Sequence, residues 1–118
     1  MSARLTDEQR ILRTVTEAQW QRRVVAIAES YGWTHYHPPK AGVRANGSVR
    51  TVPAGFPDLV LARGPRLVFI ELKRETGKTT DAQNEWLRKL AATSAETYVF
   101  RPSDLDDVIT TLGRPERS

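Results

Sequence analysis

Two carboxylates and an amine stand at positions where they could act together. Asp58 opens the run Asp58-Leu59-Val60-Leu61, and Glu71 and Lys73 close the run Val68-Phe69-Ile70-Glu71-Leu72-Lys73. Side chains alternate across a strand. Glu71 and Lys73 therefore share a face with Phe69, roughly 6–7 Å apart along the backbone, while Val68, Ile70 and Leu72 share the other. Gly64-Pro65 between the two runs is a turn signal. A loop of two or four residues centred there pairs Arg63 with Arg66, Leu61 with Val68 and Asp58 with Glu71. Directly opposed Cβ atoms lie about 4.5–5.5 Å apart, so two acids placed there repel unless positive charge sits between them. Lys73 supplies some of it. A divalent cation fits the remaining need, because Mg2+ takes oxygen ligands from one or two carboxylates together with substrate phosphates. A three- or five-residue loop would put the acids on opposite faces and remove this chemistry.

The flanking residues can hold such a hairpin. Pro57 fixes φ and cannot donate to a ladder, which suits the first residue of a strand, and Gly55 permits a bend just before it. Thr16-Glu17-Ala18-Gln19 is a capping box, followed by Trp20, Val24, Ile27, Ala28 and Tyr31 at helical spacing, with Gly32 as the stop. Trp33–His37 is a short strand. Thr80-Asp81-Ala82-Gln83 is a second capping box, with Trp86, Leu87 and Leu90 on one helix face. Thr97–Phe100 is a strand, and Ser103 caps a last helix through Leu105, Val108, Ile109 and Leu112. The order α-β-β-β-α-β-α predicts a small α/β sandwich with a mixed sheet flanked by helices. Residues 1–15 are read as a polar, partly helical or frayed extension, 16–112 as the domain and 113–118 as a loose tail. Trp20, Trp33 and Trp86 are read as core.

Composition bounds the chemistry. The chain has 118 residues, no cysteine, and 18 Lys+Arg against 14 Asp+Glu, for a net charge of +4. Without cysteine there is no disulfide framework and no thiolate metal site, so any metal must be held by oxygen. No run approaches the ~20 apolar residues of a membrane span, and the first residues lack the apolar core of a secretory signal; a cytoplasmic protein is the expectation. No acid lies between Glu29 and Asp58, a Gly/Pro-rich stretch that holds His35, His37, Lys40, Arg44 and Arg50. It reads as a loop, and its bases could contact phosphates. His35 and His37 alone do not make a transition-metal site. Asp104, Asp106 and Asp107 suit the start of a helix.

Gly55-x-Pro57-Asp58, a hairpin and Glu71-x-Lys73 together resemble the PD-(D/E)XK nuclease superfamily. More narrowly the chain resembles a stand-alone VRR-NUC (virus-type replication-repair nuclease) domain, in which a helix with a Glu, a basic Gly-rich loop, G-x-PD, E-x-K and a downstream helical Gln follow in order. Glu17, the Lys40–Arg50 loop, Asp58, Glu71, Lys73 and Gln83 occupy those places, over roughly Thr16 to Phe100. The resemblance implies a restriction-endonuclease-like αβββαβ core and a Mg2+- or Mn2+-dependent endonuclease of phage or bacterial type acting on DNA, structure-selective for Holliday junctions or other branched DNA, working as a homodimer. It implies Asp58, Glu71 and the Leu72 carbonyl as metal ligands, with Glu17 binding directly or through water. Lys73 would orient or deprotonate the attacking water, and Gln83 would point into the site from its helix. Lys40, Arg44, Arg50 and His37 are the expected DNA contacts. Two rival readings remain: a sequence-specific restriction-type enzyme, and a non-catalytic nucleic-acid-binding module.

Overall fold

One short motif starts three helices. Thr6, Thr16 and Thr80 each accept, through Oγ1, the backbone N–H of a Gln three residues on, and each Gln side chain accepts the Thr N–H in return. These reciprocal bonds satisfy donors that a helix start leaves orphaned. The computed structural model describes residues 4–40, 42–43, 45–50 and 52–115. The boxes open α1 (Asp7–Thr14), α2 (Glu17–Ser30) and α3 (Asp81–Ala91); α4 spans Leu105–Gly113. The strands are β1 (Thr34–Tyr36), β2 (Gly42–Val43), β3 (Val49–Arg50), β4 (Leu59–Arg63), β5 (Arg66–Leu72) and β6 (Glu96–Phe100).

The main sheet has the order β1-β4-β5-β6. β1 and β5 flank β4 antiparallel, and β6 joins β5 in parallel after the α3 crossover. The β4–β5 register is the expected one: Arg63 faces Arg66, Leu61 faces Val68 and Leu59 faces Ile70. Gly64 makes the two-residue turn at φ +55°, a conformation that costs glycine nothing. The core forms where the apolar stripe of α2 (Trp20, Val24, Ala28) and Val108 and Leu112 of α4 meet Leu59, Leu61, Val68, Ile70 and Leu72. Trp20 and Trp33 bury their rings and donate their indole N–H groups to the carbonyls of Phe100 and Leu112, each at 2.9 Å. α3 lies on the face that carries Phe69 and Glu71: Trp86 packs edge-on against Phe56, and Phe56 against Phe69.

The α/β class and mixed sheet are as expected; several local expectations change. Of the two readings of residues 1–15, partly helical or frayed, the structure takes the helical one over Asp7–Thr14, because Thr6 and Gln9 cap α1 as Thr16 and Gln19 cap α2. The basic stretch folds a two-stranded hairpin, β2 with β3, rather than a plain loop. Pro57 is fully buried just ahead of β4 rather than at its first residue. Ser103 does not cap the last helix: Pro102 starts a 3₁₀ turn over Pro102–Asp104, Asp104 takes the cap position, and the Ser103 N–H donates to Glu75 instead. Trp86 is only half-buried and stands outside the core. No helix among the described residues is long and apolar enough to cross a membrane.

An ion-pair cluster ties β5 to β6. Arg66 grips Glu96 with two hydrogen bonds of 2.8 Å, and the Tyr98 hydroxyl donates to the same carboxylate at 2.7 Å. The Arg66 bonds hold the Glu96 carboxyl down at about 2. The unfolded chain takes up this proton near 4.5, so the bridge stabilises fully above that pH and is lost as pH falls from there toward 2. Glu96→Gln is expected to flatten the acid limb of a stability profile between pH 5 and 2, measured by urea unfolding; an unchanged limb would place the acid sensitivity elsewhere.

Candidate metal centre

The site is built where β4 and β5 run past their last paired residues. Beyond Leu59 and Ile70 the ladder is continued by a side chain: Asp58 Oδ2 accepts the Leu72 N–H at 2.8 Å. Leu72 thus meets the site through its amide, and that bond fixes the Asp58 carboxylate. Asp58 Oδ1 lies 2.6 Å from Lys40 Nζ, and this bond raises the pKa of the lysine. Asp58 and Glu71 are the buried charged residues among those described, at 4% and 1% exposure.

Glu71 is held from α3. Gln83 Nε2 donates to Glu71 Oε1 at 2.9 Å, while Gln83 Oε1 accepts the Thr80 N–H at 2.8 Å. A capping role and a site role for Gln83 are therefore one arrangement. The box takes the amide oxygen, which leaves only the NH2 end to face the carboxylate. Lys73 Nζ stands 3.9 Å from the same Glu71 oxygen, an ion pair without a hydrogen bond. Glu71 Oε2 is buried with no hydrogen-bond partner. Burial first, and the neighbouring Asp58 second, push the Glu71 carboxyl up to about 8.

Gly55 makes this approach possible. At φ +84° it lies so close to α3 that an added Cβ would stand 2.4 Å from the Ala82 carbonyl carbon and 2.6 Å from the Gln83 nitrogen. The glycine of Gly55-x-Pro57-Asp58 is thus a seat for the first turn of α3 as well as a bend, a role the sequence signals only as a glycine before Pro-Asp.

One ligand oxygen from each of Glu17, Asp58 and Glu71 lies within 4.8 Å of the others, the cluster of this kind among the described residues. Glu17 enters from the first turn of α2 and is exposed. Three carboxylates around a buried oxygen with no partner make a hard, all-oxygen donor set, which fits Mg2+ or Mn2+. The family model of the VRR-NUC domain matches residues 7–103. The chain belongs to the VRR-NUC family. Membership implies a nuclease-type function and DNA as the binding partner. The search of curated proteins and the search of solved structures returned no match.

The remaining expected contacts of this VRR-NUC chain are spread out. Lys40 stands at the carboxylates. His37 Nδ1 accepts from Gln21 Nε2 on α2 at 3.1 Å and meets His35 edge-on, whose ring lies 3.7 Å from Glu29. Arg50 lies on β3 opposite Gly42. Arg44 lies outside the described residues.

Proposed function

We propose that this chain is a divalent-metal-dependent endonuclease that hydrolyses DNA phosphodiester bonds, selects branched structures such as four-way junctions, and works as a homodimer. The observation that carries the reading is the partnerless Glu71 oxygen inside a three-carboxylate cluster. A buried unpaired carboxylate is costly enough that, without a cation, Glu71 keeps its proton up to about 8; a bound cation would take the place of that proton.

Asp58, Glu71, Glu17 and the Leu72 carbonyl would hold the ion. A bound Mg2+ or Mn2+ supplies charge stabilisation at the reacting phosphate and acidifies a water there. Gln83 fixes the Glu71 carboxylate through Oε1 and leaves Oε2 available to a metal. The Leu72 amide does the same for Asp58. Lys73 Nζ orients the attacking water and accepts its proton or offsets the charge that develops on the phosphate oxygens. Lys40, Arg44, Arg50 and His37 contact the DNA backbone, where they position without reading sequence. A two-fold dimer would present two such sites to the two-fold symmetry of a junction.

The test is a cleavage panel of junction, flap and linear duplex DNA with Mg2+ or Mn2+, run beside Asp58→Ala. Cleavage of branched DNA by the wild type alone is the expected result. Cutting of linear duplex at defined sequences would favour the restriction-type reading. No cleavage together with no Mn2+ binding by calorimetry would favour the non-catalytic binding module.

A further inference from the structure

Beside the carboxylates runs a slot whose walls are almost entirely apolar. Pro38 and Pro39 form one side, Val52 and Pro53 another, and Phe56 and Trp86 the aromatic end, around a volume of about 250 Å3. Five of these residues also wall an adjoining cavity of about 200 Å3 that reaches Lys40, Asp58 and Gln83. The slot and the carboxylates are thus two ends of one groove. Pockets for drug-sized ligands run about 300–1,000 Å3, so this slot has the scale of one planar ring system.

Trp86 differs from the other two tryptophans. Trp20 and Trp33 are buried and bond their indole N–H to backbone carbonyls. Trp86 is half-buried, stands outside the core, and its N–H has no partner among the described residues. Its contact with Phe56 is edge-to-face, with ring centres 5.0 Å apart at 77°, which fixes the indole without covering it in a stack.

We propose that this slot receives one unstacked nucleobase of the DNA strand, next to the phosphate held at the carboxylates, with Trp86 as the stacking platform. The inference rests on the nuclease reading and deepens it. A phosphate at Asp58 carries a sugar and base on either side, and Lys40 stands at the carboxylate end of the groove, 2.6 Å from Asp58 Oδ1. Any base has a π-face, so stacking there is tolerant of sequence. A base inside a duplex must first leave its stack, whereas a branch or strand end offers bases for which that cost is small. The slot would therefore convert unstacking into a preference for branched DNA.

The experiment measures affinity by fluorescence anisotropy in Ca2+, on flap DNA that carries a single abasic residue at each position around the branch in turn. Loss of one base is expected to weaken wild-type binding about tenfold at one position, the size of one stacking contact. Trp86→Ala should bind intact and abasic DNA alike, and Trp86→Phe should restore the difference. Trp86→Leu, which keeps an apolar wall, replaces Trp86→Ala if circular dichroism shows the latter unfolded. Equal affinity across the whole abasic scan, or a difference that survives without the aromatic ring, overturns the proposal. Mn2+-dependent cleavage with a flat scan overturns the slot and leaves the nuclease reading standing. A scan effect without cleavage in any metal overturns the nuclease reading and leaves the slot. Absence of any DNA binding overturns both.

Discussion

Glu71→Gln is expected to lower DNA cleavage on the order of 10³-fold, to remove Mn2+ binding, and to make the metal-free protein more stable. The three effects share one cause. Glu71 is 1% exposed and its Oε2 has no hydrogen-bond partner. Its carboxyl is pushed up to about 8, by burial first and Asp58 next. The unfolded chain loses this proton near 4.5, the folded chain near 8, so the folded state holds more protons in between. Stability of the metal-free protein therefore falls as pH rises from about 4.5 to 8 and stays low above that. Glutamine keeps the shape and still accepts from Gln83 Nε2, but it carries no charge. Urea unfolding in a chelator at pH 9 should show a gain of about 1–3 kcal/mol, the cost of an unsatisfied buried polar group, and the slope between pH 5 and 8 should flatten. A metal then acts oppositely in the two proteins: Mn2+ should stabilise the wild type by mass action and leave the variant unchanged. Retained Mn2+ affinity would sink the assignment of Glu71 as a ligand. A stability loss at pH 9 would mean that the carboxylate is already compensated within the fold.

How far the sequence reached depends on whether a feature is periodic or made by contact. The β4–β5 register was legible because Gly64-Pro65 allows few ways to turn and a one-residue slip would bury the wrong face. The pairing of Leu61 with Val68 then carries Asp58 to Glu71. Capping boxes were legible at Thr16 and Thr80, where an apolar stripe follows. The identical spacing at Thr6 carries no such signal, because α1 buries no residue and no apolar period marks it. The β2–β3 hairpin has only two residues in each strand, too few for alternation to register. Spacing within α3 alone predicts Trp86 as core. Spacing says which face a residue takes, and the neighbouring segment 52–56 leaves that face half open. Gln83 is legible only atom by atom: its amide oxygen accepts from the Thr80 N–H while its NH2 donates to Glu71, and a sequence pattern counts the amide once.

Gly55→Ala carries the largest expected loss of stability outside the core. Residues at φ near +84° cost a side chain about 1–2 kcal/mol. Here a second cost adds, because the new Cβ would lie 2.4 Å from the Ala82 carbonyl carbon and 2.6 Å from both the Ala82 oxygen and the Gln83 nitrogen. These are backbone atoms in the first turn of α3 and cannot rotate away. Overpacking of this kind costs about 1–3 kcal/mol. Gly32 supplies the internal control: its φ is +83°, and nothing lies within 4 Å of a Cβ built on it. Gly32→Ala should therefore lose the conformational part alone, and the difference between the two variants in urea unfolding isolates the contact with α3. The contact also has a functional reading. If the α3 start moves to admit the methyl, Gln83 Nε2 leaves Glu71 Oε1, and the proposed ligand carboxylate loses the group that orients it. Loss of such an outer support typically costs 10–100-fold in metal affinity, so Gly55→Ala should bind Mn2+ at least about tenfold more weakly at temperatures where it remains folded. Gly32→Ala, equally strained at its own site, should bind Mn2+ like the wild type. Equal stability losses in both variants, or unchanged Mn2+ affinity in folded Gly55→Ala, would show that the glycine before Pro57-Asp58 serves the turn alone and that Gln83 reaches Glu71 without it.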